Sequence, residues 1–185
     1  MKGVLFSIVE DAITAEHGAE AWDALLTKAD VDGGYTSLGD YPDDEFYRLI
    51  AVGAELLDVP PRDLTRHLGH SALLALGDRY PDFFSPHARA IDFVLTINDV
   101  IHPEVRKLHR EADPPEFDFT VGEDGELTVA YHSRRRLCAL AEGMIRGAAT
   151  YYGDRVVVEH ETCRDAGDDT CVLRCRFAPG DQALR

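Results

Sequence analysis

The chain has 185 residues, 45% of them hydrophobic and 29% charged, long enough for one domain with a real core and barely long enough for two. Its 34 acidic side chains outnumber 19 lysines and arginines, giving a net charge of -15, and such a surface repels nucleic acid and anionic membranes while suiting a basic patch on a protein partner. The apolar run Val4–Val9 is cut short by Glu10 and Asp11 and no later run nears the ~20 residues of a membrane span, so a soluble, cytoplasmic protein is expected.

Helical spacing dominates the first half. Leu5, Ile8, Val9 and Ile13 share a face, and Trp22, Leu25 and Leu26 repeat the pattern after Gly18. Residues 35–42 carry turn chemistry, and Asp43 or Asp44 is placed to cap a helix running through Phe46, Leu49, Ile50, Val52 and Leu56. Pro60-Pro61 interrupts, and Asp63 through Leu76 predicts a further helix. Another is predicted from about Ala88 to Asp99.

Past Pro114-Pro115 the period changes to two. Phe117–Val121 and Leu127–Tyr131 alternate around the turn 122–126, which predicts a hairpin. A helix from Arg135 to Ala149 and strands at Val156–His160 and Cys171–Phe177 complete the pattern. The order predicts an α+β fold: a helical N-terminal lobe, then a β-hairpin–helix–β–β lobe with a four-stranded antiparallel sheet. We expect one domain over 1–185, with a helical lobe over about 1–65 and a second lobe over about 66–185.

Eight histidines raise the question of metals. His17, His67, His70, His87 and His109 have no second ligand at metal spacing, and His132 alternates to the face opposite Tyr131 and Ser133. His102 differs: it ends an apolar helix, and a neutral imidazole in an apolar pocket suits the iron of a porphyrin. Tyr131, Ser133 and Arg135 fall at i, i+2 and i+4, so on an extended strand they form a strip of donors on one face. Two hydroxyls and a guanidinium in a row match the two propionates of a haem. Cys138, Cys163 and Cys171, with His160 three residues before Cys163, have the ligand types and spacing of a closed zinc site, leaving Cys175 over.

With these residues in view the chain resembles, from end to end, the haem nitric oxide/oxygen binding (H-NOX) domains, related to the haem domain of soluble guanylate cyclase. The likeness is carried by Met1-Lys2-Gly3, Tyr35-Thr36-Ser37, Tyr41-Pro42-Asp43 and Tyr80-Pro81-Asp82-Phe83-Phe84. It continues through Asp99-Val100-Ile101-His102, Val105–Leu108, Tyr131–Arg135, Leu137–Gly143 and Gly167-Asp168-Asp169. The resemblance implies haem b between the lobes, His102 on its iron, Tyr131, Ser133 and Arg135 on the propionates, and Pro115 pressing on the porphyrin. It also places Leu140 where O2-binding members carry a tyrosine hydroxyl. A distal pocket of Leu5, Val9, Leu76 and Leu140 lacks any donor for bound O2, whereas NO and CO need little such help.

The implied protein is therefore a sensor and not an enzyme. It binds NO at ferrous haem, admits CO, excludes O2, and signals through loss of the Fe–His102 bond. Its partner would be a separate protein such as a histidine kinase or a cyclic-di-GMP enzyme. The resemblance also implies zinc on Cys138, His160, Cys163 and Cys171. One departure stands out: Pro103 follows the ligand directly and would bias His102 away from the α region, opening a fresh short helix at a kink. The alternative reading is a haem-free small-ligand regulatory domain of the vinyl-reductase-like type, which shares the rear-half pattern but requires neither the His102 segment nor the Tyr131–Arg135 strip. A zinc or haem enzyme is a third reading, opposed by a closed zinc site and a distal side without an acid–base group.

Overall fold

The computed structural model describes residues 1–108 and 112–181. Eight α-helices and four strands are found among them: α1 (Gly3–His17), α2 (Ala19–Ala29), α3 (Asp43–Leu57), α4 (Pro61–Arg79), α5 (Pro81–Phe84), α6 (Ala90–Leu95), α7 (His102–Leu108), β1 (Glu116–Val121), β2 (Leu127–His132), α8 (Cys138–Tyr151), β3 (Asp154–Thr162) and β4 (Cys171–Pro179). The strands form one antiparallel sheet in the order β1-β2-β4-β3, so the fold is α+β as its pattern indicated. His109 lies outside the described residues. No described helix is long and apolar enough to cross a membrane.

Apolar side chains gather into two clusters. One is built on α1, α2 and α3, with Phe6, Trp22, Phe46 and Leu49 at its centre. The other lies against the sheet and takes in Phe84, Phe93, Val94, Leu127, Val129 and Leu173. Two long helices join them. Leu64 and Leu68 of α4 belong to the first cluster and Leu73 to the second, while α8 offers Leu140 to the first and Ala141 and Ile145 to the second. Helix α4 therefore runs unbroken across the expected division at residue 65.

Glycines set how closely α4 and α8 cross. A Cβ on Gly69 would come within 2.3 Å of the Leu140 carbonyl oxygen, and one on Gly143 within 2.0 Å of the Arg66 oxygen. Only hydrogen at both positions permits this approach.

Several local expectations are revised. Pro42, not an aspartate, precedes α3, and no side chain caps it; Asp43 is instead the first helical residue. Its carboxylate pairs with the N-terminal ammonium at 2.9 Å and with Arg135. Helix α8 begins at Cys138 rather than Arg135, and β2 ends at His132. The Ser133 Oγ accepts a hydrogen bond from the Arg135 N–H at 3.1 Å, a local turn that diverts the chain from the strand before the helix can start.

The helix predicted to Asp99 ends at Leu95 and passes into a π-turn over Ile97–Ile101. His102 nonetheless stays helical, with φ -66° and ψ -37°, and its N–H bonds back five residues to the Ile97 carbonyl. Pro103 becomes the second residue of the new short helix α7. A proline ring crowds the carbonyl four residues before it, and the wider turn just upstream relieves that crowding without moving His102 out of the α region.

Candidate functional site

A cavity of about 330 Å3 opens between α1, α4, the His102 segment, the sheet and α8, within the range of small-ligand sites. Its walls are largely apolar, contributed by Leu73, Leu76, Phe83, Val94, Ala141 and Ile145 among others. His102, Pro115, Tyr131, Ser133, Arg135, Leu5, Leu76 and Leu140 all line it. Val9 does not. It is buried at 4% exposure in the cluster around Phe6 and Trp22. Helix α1 has apolar neighbours on more than one side, and the cavity meets only its first turn.

His102 reaches the cavity from the first residue of α7. Burial, with a smaller contribution from the Arg106 charge, lowers its pKa from 6.5 to about 4, so the imidazole is neutral at physiological pH. Its Nδ1 is buried with no hydrogen-bond partner among the described residues. The ring lies 6.0 Å from the Phe117 ring and 25° from parallel with it. A neutral, unpaired imidazole on an apolar cavity wall is the form that ligates a metal ion.

The three donors meet the same cavity, although not as successive steps of one strand. Tyr131 sits on β2 at 5% exposure, and its hydroxyl accepts the Leu137 N–H at 3.3 Å. Ser133 follows the strand's end and Arg135 lies in the bend beyond it. The Arg135 guanidinium donates from Nε to Asp43 Oδ2 at 2.7 Å and from a terminal nitrogen to the Asp113 carbonyl. Burial pushes the Asp43 carboxyl up, but the N-terminal ammonium and Arg135 outweigh it and hold the carboxyl below its usual range. Arg135 is therefore fixed at the cavity edge by protein groups before any ligand arrives. Pattern reading missed Asp43 in this role, since a carboxylate at a helix start reads first as a cap.

A second group of side chains lies outside this cavity. The ligand atoms of Cys138, Cys163 and Cys171 all fall within 4.8 Å of one another, and the three residues are buried. Cys138 and Cys163 sulfurs are 3.7 Å apart. Arg62 donates to the Cys163 Sγ at 3.1 Å. Burial raises the Cys163 thiol, yet Arg62, the Asp165 main chain and Cys138 more than offset this and bring it to about 7. Asp168 shapes the loop by accepting the Cys163 N–H at 2.7 Å, and Gly167, at φ 103°, supplies the left-handed residue that the turn requires. Three buried, converging thiols are chemically fit for a zinc ion.

His160 does not join that group. Its Nε2 is paired with Glu142 Oε2 at 2.9 Å, leaving a buried Nδ1 without a partner. Glu142, 2% exposed, also pairs with Arg66 at 2.8 Å and Arg146 at 2.9 Å. Burial opposes its charge, but His160 and the two arginines prevail and hold its carboxyl at about 2. An anchored buried carboxylate accounts for His160's position, and spacing alone could not reveal it. Cys175 is elsewhere too, paired in the sheet opposite Leu127 and Val158. Of the remaining histidines, His67 pairs with Glu16, His70 with Thr150, and His132 with Asp118 on the sheet's other face.

Comparison with known proteins matches this arrangement to a single family. The Haem-NO-binding family model matches residues 2–160. A crystal structure of an H-NOX protein from S. oneidensis in the Fe(II)NO state shares 31% identity, with a TM-score of 0.91, covering 96% of this chain and 99% of that one. The Fe(II) form of a mutant of the S. oneidensis protein superposes over the full length of both chains at 30% identity and a TM-score of 0.92. An H-NOX protein from Shewanella woodyi, solved in the Fe(II)CO state with IWP-051 bound, is 27% identical, with a TM-score of 0.81 over 99% of this chain and 97% of that one. No curated protein matches. A full-length fold match, a family model spanning most of the sequence, and an apolar cavity with a neutral histidine on its wall lead to one conclusion: the chain belongs to the haem-NO-binding, or H-NOX, family of haem-based gas-sensor domains.

Proposed function

We propose that the chain is a nitric oxide sensor acting in the cytoplasm on a separate protein, and that it is not an enzyme. The observation that carries this reading is the pairing of a neutral His102 with a cavity lined in large part by side chains without a hydrogen-bond donor, Leu5, Leu76, Leu140 and Met144 among them. Haem b, when bound, supplies a ferrous iron that takes up diatomic gases. The chain's own residues then decide which gas is held and how its arrival is passed on.

His102 is the proximal ligand, and its depressed proton affinity keeps the imidazole free for the iron at any pH above about 4. Tyr131, Ser133 and Arg135 bind the propionates, with Arg135 held ready by Asp43 and Asp113. Pro115, on the cavity wall, presses on the porphyrin. Leu140 withholds the hydrogen bond that a superoxide-like O2 requires, so NO and CO bind and O2 does not. His102 would hold the haem iron, and loss of that bond on NO binding would be the signal. Helix α7 and the π-turn before it would then be free to shift against the sheet. The strongly acidic surface steers a basic face of the partner, such as a histidine kinase or a cyclic-di-GMP enzyme.

His102→Gly supplemented with imidazole tests this chain of events. The variant should hold haem and bind NO, yet its amide-exchange pattern across α7 and β1 should not change on NO addition. An NO response equal to that of the native protein would refute release of His102 as the signal.

The thiol triad is proposed to hold a structural zinc ion, with His160 as the fourth ligand through its unpaired Nδ1 and Glu142 orienting the ring from Nε2. One zinc per chain should survive dialysis and be lost in Cys138→Ser. Metal-free native protein purified under reducing conditions would contradict the assignment.

A further inference from the structure

The π-turn before His102 contains Asn98, whose carboxamide makes an unusual pair of contacts. Its Nδ2 donates to the Phe117 carbonyl, and its Oδ1 accepts the Phe117 N–H at 3.3 Å. Phe117 belongs to β1, the edge strand of the sheet. Asn98 thus occupies both outward main-chain groups of one edge residue, the places that a further strand would take.

The same Phe117 reaches the site in two directions. Its ring stacks near His102. It also sits directly across from Tyr131 in the β1–β2 pairing, with ring centroids 5.8 Å apart. Metal-binding histidines are ordinarily oriented by a hydrogen bond from the second ring nitrogen. His102 has no protein partner there, so its orientation falls to the backbone that carries it and the ring beside it. Both are governed by the Asn98–Phe117 contact, one helical turn before the ligand. π-turns are rare, occur mostly as single-turn bulges at functional sites and kink the helix, so the contact that Asn98 makes from this one bears on how the chain enters His102.

We infer that Asn98 is a positioning residue for His102: by clamping the π-turn to Phe117 of β1, it fixes the angle at which the imidazole meets the iron. The clamp also makes β1 the first part of the sheet to feel a displacement of His102. This inference rests on His102 being the iron ligand, and nothing in it depends on which gas is bound or on the partner.

The test compares the full-length, haem-loaded ferrous protein with Asn98→Ala and Asn98→Asp by two measurements: the iron–histidine stretching band in resonance Raman, and hydrogen exchange at the Phe117 amide. In Asn98→Ala the band should shift and broaden, and Phe117 exchange should rise at least tenfold. Asn98→Asp keeps the acceptor for the Phe117 N–H but lacks the donor, so it should fall between the two. A band of native position and width in Asn98→Ala would overturn the inference even if Phe117 exchanged faster, because Asn98 would then only secure the strand edge. Should Asn98→Ala fail to retain haem, an unshifted band in Asn98→Asp overturns it equally. A native spectrum without a band that His102→Gly abolishes would refute the ligand assignment, and the inference with it.

Discussion

His102, the proposed iron ligand, shows how a fold sets a side chain's chemistry by what it denies it. The cavity wall strips water from the imidazole, Arg106 adds a like charge, and the pKa drops from 6.5 to about 4. Below pH 6.5 the unfolded chain gains a proton that the folded chain refuses until about pH 4. The group therefore subtracts stability as pH falls through that window and is neutral in effect above it. Allowing for its partial exposure, the loss is about 2 kcal/mol. In haem-free protein the urea midpoint should fall more steeply between pH 6.5 and 4 than in His102→Gly; parallel profiles would show that the imidazole is not held neutral. Arg135 illustrates the opposite strategy: the cation proposed to meet a propionate is kept at its post by Asp43 and the Asp113 carbonyl.

Among the elements, the crossing of α4 over α8 does most to hold the site together. Leu140, on the cavity wall, is on α8 beside the point where its carbonyl approaches Gly69, and Gly143 lies against the Arg66 carbonyl. Gly143→Ala would drive a methyl group into main-chain atoms that cannot turn aside. We expect a loss of about 1–3 kcal/mol, seen as a melting temperature several degrees lower, and a looser cavity that releases haem faster. An unchanged melting temperature would mean that the two helices are not so tightly apposed.

Much of this architecture was legible in side-chain spacing. The three-to-four residue rhythm of Leu5–Ile13 and Phe46–Leu56 and the alternation of Phe117–Val121 reflect burial on one face, which spacing records directly. Other features escape because they depend on partners distant in sequence. The π-turn of Ile97–Ile101 differs from an α-helix only in which carbonyl each N–H selects, and apolar period is nearly blind to that. Pro81–Phe84 is a single turn, too short for any rhythm. Val9 shares a face with Leu5 on a helical wheel, yet it is buried in the cluster around Phe6 and Trp22, and only the first turn of α1 meets the cavity. His160 fits the zinc spacing, but that spacing does not reveal Glu142, the buried carboxylate eighteen residues earlier that pairs with its Nε2.

At the scale of the whole molecule, two apolar clusters share two helices, and the cavity lies where the second cluster, the His102 segment and α1 meet. His102, at the start of α7, therefore neighbours β1 through Phe117, and the cavity it lines is bounded also by α8. The family and its haem chemistry rest on the full-length match to H-NOX structures, while the selectivity proposed for NO over O2 rests on the donor-free side chains of Leu5, Leu76 and Leu140 that line the cavity. Absorption spectra of the purified ferrous protein under nitrogen, in air and with NO test that claim most directly. A main haem band that is the same in air as under nitrogen, and that shifts with NO, is the predicted result; a stable O2 complex, or a colourless protein that takes up no haemin, would contradict it.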